Sequence, residues 1–115
     1  MKQTKINAHQ LLLQVYTGRE LFNSSSIIRI EARSSYSKLF FDNGNTLVVA
    51  RTLRWFEGRL PAQQFIRTHR THVVNKDFIN WYLNGTQSKV YLVNGEQVEV
   101  AKRRRKFVFA TNAAA

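Results

Sequence analysis

Lys89-Val90-Tyr91-Leu92-Val93-Asn94-Gly95-Glu96-Gln97-Val98-Glu99-Val100 reads as two alternations of apolar and polar residues joined by Asn-Gly. Alternation at period two turns one face of an extended chain toward a core, and Asn-Gly supplies the positive φ angles of a tight antiparallel turn. The stretch predicts a β-hairpin, and the same reading extends outward. Ile28, Ile30 and Ala32 alternate with Arg29, Glu31 and Arg33 in a half-buried strand over Ile27–Arg33. Tyr36–Phe41 is a further strand, turned by Asp42-Asn43-Gly44-Asn45 into Thr46-Leu47-Val48-Val49, and Asn84-Gly85 repeats the turn signal.

Residues 52–60 carry the one clear helix. Thr52 is its N-cap, because the hydroxyl can accept a bond from an orphan first-turn amide. Leu53, Phe56 and Leu60 form a core-facing stripe, Gly58 weakens the segment, and Pro61 stops it. Residues 102–110 fit either a terminal helix or a strand, and the tail 111–115 is expected to fray. No repeat or linker divides the chain, so residues 1–115 are read as one domain. The fold class that follows is mostly β, an antiparallel sheet or small sandwich with one or two short helices.

The 115 residues include 43% hydrophobic side chains, eight of them Phe, which argues against disorder. The absence of cysteine excludes disulfides, thiol catalysis and Cys-based zinc sites. Eighteen Lys and Arg face seven acids, a formal charge of +11, spread over both halves of the chain. That excess favours polyanions, nucleic acid first and an anionic membrane surface second. Met1-Lys2-Gln3-Thr4-Lys5 has the charge of a signal n-region, but the apolar run behind it is only Leu11-Leu12-Leu13. A cytoplasmic protein is expected.

Phe65-Ile66-Arg67-Thr68-His69-Arg70-Thr71-His72-Val73-Val74-Asn75 packs cations, imidazoles and hydroxyls between apolar flanks. Such a cluster is costly to bury and should face water or an anion. The flanks suggest extended chain, in which His69 and His72 would point to opposite faces, with Asp77 the only nearby acid. No metal site is expected. The acids Glu20, Glu31, Asp42, Glu57, Asp77, Glu96 and Glu99 are scattered, and neither a phosphate-cradling Gly-rich loop nor Gly-x-Ser-x-Gly occurs. No enzyme, cofactor or small-molecule substrate is expected. Lys102-Arg103-Arg104-Arg105-Lys106 can neutralise several phosphates with counterion release. The stretch Arg33-Ser34-Ser35-Tyr36-Ser37-Lys38 offers further phosphate and base-edge donors between two strands. Trp55, Trp81 and Tyr82 read as core or surface anchors rather than base-stacking platforms.

The segment 65–75, followed by Phe78-Ile79, resembles the signature of the LytTR family of bacterial DNA-binding domains. Ile27-Ile28-Arg29-Ile30-Glu31-Ala32 is similar to that family's strand before the first contact loop, and the approach to Leu60-Pro61 and the basic end of the chain also match. The resemblance covers about residues 10–109, with short tails outside it. It implies an elongated fold of about ten mostly antiparallel strands that contacts successive grooves through loops. Carried over, the DNA-binding residues are Arg33, Ser35, Tyr36, Ser37 and Lys38 in one loop and His69, Arg70 and Thr71 in a second. Lys102, Arg103, Arg104 and Arg105 make the third. Arg70 would read a guanine edge, Arg103 a base or the minor groove, while His69 and Asn75 would mainly hold the loop by hydrogen bonds.

The signature Ser and aromatic are Thr71 and His72 here, and the usual Ser-Arg near the end is Ala101-Lys102. Family members usually follow a phosphoacceptor receiver domain; residues 1–115 hold none, and either a free-standing regulator or a cut-out DNA-binding module is expected. The expected partners are double-stranded DNA, a second copy on adjacent direct repeats, and a membrane or receiver-type regulator. The rival readings are a small basic β domain binding RNA and a structural or inhibitory protein docking on acidic partners.

Overall fold

The computed structural model describes residues 9–110; the charged N-terminus and the tail 111–115 lie outside them. Among these described residues, ten strands form three antiparallel sheets. β1 (Gln10–Val15) and β2 (Gly18–Asn23) pair as a hairpin. The central sheet has the order β5-β4-β3-β7-β6. Its members are β3 (Ile27–Arg33), β4 (Tyr36–Phe41), β5 (Thr46–Val49), β6 (Phe65–His69) and β7 (His72–Asn75). β8 (Ile79–Leu83), β9 (Lys89–Leu92) and β10 (Gln97–Glu99) make the third sheet, with β9 in the middle.

The central sheet is covered on both faces. On one, Ile27, Ile30, Leu39, Val49, Phe65 and Val73 meet Leu11 and Leu13 of β1. Leu53 and Phe56 of α1 (Leu53–Glu57), with Leu60 just beyond it, close that core. On the other face, Ile28 and Val74 meet Val90, Leu92 and Val98 of the third sheet. Val108 of α2 (Arg105–Ala110) completes this second core. The simple alternation expected over β3 is broken by a bulge between Ile27 and Arg29, which puts Ile28 in the second core and Ile30 in the first. A bulge inserts one residue and reverses the facing of those beyond it.

Asn43-Gly44 and Asn94-Gly95 turn their hairpins as expected, with φ of +87° and +89° at the glycines. Asn84-Gly85 instead opens the longer 84–88 connection, where Gly85 donates its amide to Ser88 Oγ. α1 is shorter than the expected 52–60 because Gly58 caps it, and a following turn delivers Leu60 to the core. Residues 102–110 are helical, a 3-10 turn (Lys102–Arg104) running into α2.

Thr52 caps α1 as predicted, its hydroxyl accepting the Trp55 amide at 3.3 Å. Thr52→Ala should lower unfolding free energy by about 1 kcal/mol. A denaturant midpoint unchanged beside that of Thr52→Ser would contradict this role.

Candidate nucleic-acid interface

Strand register gathers the candidate residues. Arg33 pairs with Tyr36, Ser37 with Val49, Glu31 with His72, and His69 with His72. The β3–β4 and β6–β7 turns therefore leave the same end of the central sheet. They are neighbours there, linked by the Ala32 amide donating to Thr71 O at 2.9 Å. The third basic segment reaches the same end, because the Ala101 amide donates to Thr68 O at 2.8 Å just before Lys102–Arg104. Tyr36, Arg70 and Arg103 are all exposed there.

The β6–β7 tip is held from within. Arg67 Nε donates to His69 O at 2.8 Å and Nη2 to Arg70 O at 2.6 Å, while Nη1 pairs with Glu57 of α1. Its cation is thereby committed to the fold, so the cluster 65–75 does not all face outward as expected. Thr68 is fully buried, and Arg70 carries the exposed charge. The Thr71 amide donates to His69 Nδ1 at 3.2 Å, and the Thr71 hydroxyl lies 2.8 Å from the same nitrogen. An amide can only donate, so Nδ1 is the acceptor and the neutral ring carries its proton on Nε2. Asn75 is buried, donating to Ile27 O at 2.9 Å and accepting from the Asp77 amide.

The two imidazoles are not on opposite faces. The two-residue turn makes His69 and His72 cross-strand partners, with ring centroids 5.6 Å apart. Side chains directly opposite across a ladder share a face. The acids near them are Glu99, 3.9 Å from His69 Nε2, and Glu31, the register partner of His72. Asp77 is bonded to Gln64 instead. Burial pushes the His72 imidazole below its ordinary value, against the opposing pull of Glu31. Burial raises Glu31, but the bond from Arg33 and the charges of Arg33 and Arg29 bring it below the usual carboxylate range. No group of three metal-ligating side chains assembles among the described residues.

At the first tip, Ser34 has φ +56° and Ser34-Ser35 make a tight turn. Tyr36 is half exposed, whereas Ser37 is buried and its hydroxyl donates to Arg51 O at 2.6 Å. Ser37 is thus turned away from the surface, since period two sends neighbours Tyr36 and Ser37 to opposite faces. Arg33 is exposed and paired with Glu31 at 2.6 Å. Lys38 is half-buried, its ammonium 5.2 Å from the Phe40 ring centroid. In the third segment Lys102 and Arg103 are exposed and Arg104 is half-buried. Arg105 donates through Nη2 to Thr86 O at 3.1 Å, so its guanidinium braces the 84–88 loop.

Sequence reading missed the cations beside α1. Arg51 and Arg59 both stack on Trp55, at 4.8 and 4.1 Å from its ring centroid. The spacing Arg51-x-x-x-Trp55-x-x-x-Arg59 was the available signal, placing a cation just outside each end of the short helix that carries Trp55.

No helix among the described residues is long and apolar enough to cross a membrane. A search of curated proteins finds no match. Among solved structures, the chain is similar to the LytTr DNA-binding domain of a Bacillus cereus protein assigned as a methyl-accepting/DNA response regulator. The identity is 23%, the TM-score 0.76, and the match covers 89% of this chain and 94% of that one. That likeness concerns the fold. The family model of the LytTr DNA-binding domain matches residues 18–111, nearly the whole described chain, including all three tips. With the ten-stranded architecture and the clustered tips in place, the chain belongs to the LytTR family of DNA-binding domains.

Proposed function

We propose that this domain is a transcription regulator reading duplex DNA through its three tips. Tyr36 with Ser35 and Lys38 serves the first, Arg70 the second, and Arg103 the third. Arg33, Lys102 and Arg104 contact phosphates, while His69 and Thr71 shape the second tip. Ser37 and Arg105 drop out, for their side chains serve the fold. The observation that carries this reading is the shared end of the sheet at which Tyr36, Arg70 and Arg103 emerge. Neighbouring tips at one end of the sheet suit contact along one side of a duplex, and successive grooves are part of the proposal. Two copies on direct repeats about one turn apart would lie on one side of the duplex. Residues 1–115 act as one unit in this reading, and a receiver-type or membrane partner regulates it.

Arg70→Ala should lose roughly 1–3 kcal/mol of base discrimination, while Lys102→Ala should weaken every sequence alike and lower the salt slope by about 1. The measurement is binding to duplexes selected from a random library and to scrambled controls over a salt series. Equal losses on both duplex types for both variants would defeat this division of roles.

One observation favours the RNA reading. Trp81 is half exposed and stacks on Tyr91 with centroids 3.9 Å apart, a flat aromatic surface of the kind single strands use. Competition settles the matter: the selected duplex should displace single-stranded RNA, and Trp81→Ala should leave duplex binding intact. RNA outcompeting the duplex would reverse the assignment.

A further inference from the structure

α1 is tied to two tips of the central sheet, one through each of its ends. It follows Arg51, whose carbonyl accepts the Ser37 hydroxyl beside the first tip. It ends at Glu57, which holds Arg67 and through it the second tip. Around this helix sits a second group of cations. Arg51 and Arg59 lie over the Trp55 ring, Arg54 is exposed between them, and Arg19 of β2 lines the same groove as Arg51 and Trp55. Arg29, Arg33 and Arg67 each have a carboxylate partner, whereas Arg19, Arg51, Arg54 and Arg59 have none among the described residues. Two guanidiniums sharing one indole repel each other, yet the ring orders both; Arg59 spends one N–H on Trp55 O at 3.4 Å, and the remaining N–H groups of the pair stay available. Such an arrangement suits a row of phosphate oxygens better than solvent.

We infer that the Arg51–Trp55–Arg59 stack, with Arg54 and Arg19, is a second phosphate-binding surface that takes the DNA backbone flanking the sequence read by the tips. It rests on the DNA-binding reading above and extends the footprint of that same interface. Arg51 ties it to the first tip through the Ser37 hydroxyl, and Arg59 extends it on the Trp55 ring. The side chains carry no base-reading role, so the surface adds affinity and salt dependence without sequence preference.

The test compares two duplexes: a selected site alone, and the same site extended by about one helical turn, roughly 10 base pairs, on each side. The native protein should bind the longer duplex more tightly and with a steeper salt dependence. Arg51→Gln with Arg59→Gln should abolish that gain, cutting the slope on the long duplex by roughly 0.9 for each phosphate left without its cation. Binding to the short duplex, the ratio of selected to scrambled site, and the thermal midpoint should stay unchanged. Native binding indifferent to duplex length, or an equal loss on both duplexes, overturns the inference. An unchanged long-duplex slope in the double variant also overturns it and leaves the stack to an acidic protein partner. Should neither duplex be preferred over its scrambled control, the sequence-specific reading fails instead, and Arg70→Ala would then show no effect.

Discussion

Arg67→Ala is expected to remove most of the sequence discrimination proposed for this domain while leaving every exposed tip cation in place. The guanidinium bonds the carbonyls of His69 and Arg70 and pairs with Glu57, with its own side chain only 17% exposed. Hydrogen bonds to charged groups contribute about 1.5–3 kcal/mol each, and their loss here also leaves two tip carbonyls and a carboxylate without a partner. Stability should fall by roughly 2–3 kcal/mol, partly relieved because Glu57 can turn to water. The larger consequence is geometric. Arg67 clamps the carbonyl of Arg70 itself and that of the residue before it, so a loosened tip presents the Arg70 guanidinium over many orientations, and the proposed bidentate base contact needs one. The selected-to-scrambled binding ratio should drop toward that of Arg70→Ala. The salt slope should remain, since Arg67 itself offers no free cation to phosphate. Arg67→Lys is the decisive companion, for a lysine keeps the charge but cannot span both carbonyls and the carboxylate. Full discrimination in Arg67→Lys would show that charge alone sufficed, and a slope lowered by about 1 in Arg67→Ala would show a direct phosphate contact.

Arg29→Ala should be the most destabilising polar substitution in the body of the fold, lowering unfolding free energy by roughly 2–4 kcal/mol. Arg29 is 11% exposed and joins the central sheet to the β9–β10 turn. Its Nε and Nη2 reach the two oxygens of Glu96 at 3.1 and 2.8 Å, and its guanidinium carbon lies 3.6 Å from the Phe40 ring centroid. Truncation leaves Glu96 without its cation and uncovers Phe40. The pair also makes stability depend on pH. The Arg29 hydrogen bond holds the Glu96 carboxyl below the usual carboxylate range. A carboxyl depressed in the folded state binds its proton more readily when unfolded, so its contribution is fully present above the unfolded value and is lost as pH falls through the folded one. In Arg29→Ala that part of the acid sensitivity should vanish. Urea midpoints measured at neutral pH and again below the usual carboxylate range would reveal it, with native and variant curves converging on acidification. Parallel curves would mean that the pair contributes nothing to stability.

Local chemistry makes much of this architecture readable. Asn43-Gly44 and Asn94-Gly95 specify their turns because residues in positive φ favour Gly, and Thr52 caps α1 through a contact three residues away. The β1–β2 hairpin is hidden from such reading because Leu12, apolar but exposed, masks the alternation of buried Leu11 and Leu13, and its turn lacks an Asn-Gly pair. The candidate tips are legible as segments, but which side chains at each tip remain available is not. Tyr36 and Ser37 are neighbours in sequence, and only the covering of one face by core separates the exposed ring from the buried hydroxyl. Arg67 and Arg70 look equivalent in composition, and Glu57, ten residues away, removes one of them from the surface.

Taken alone, the order of residues determined that the chain is a basic, antiparallel β domain with three cationic segments, because charge, alternation and turn propensity act over a few residues. Tertiary structure decided which face each strand turns to which core, since the bulge at Ile28 answers to sheets packed on both sides. It also decided which cations remain free for a partner, since Arg29 finds Glu96 across 67 positions of chain. Such pairings depend on where the folded backbone brings distant groups, and no local rule carries that information.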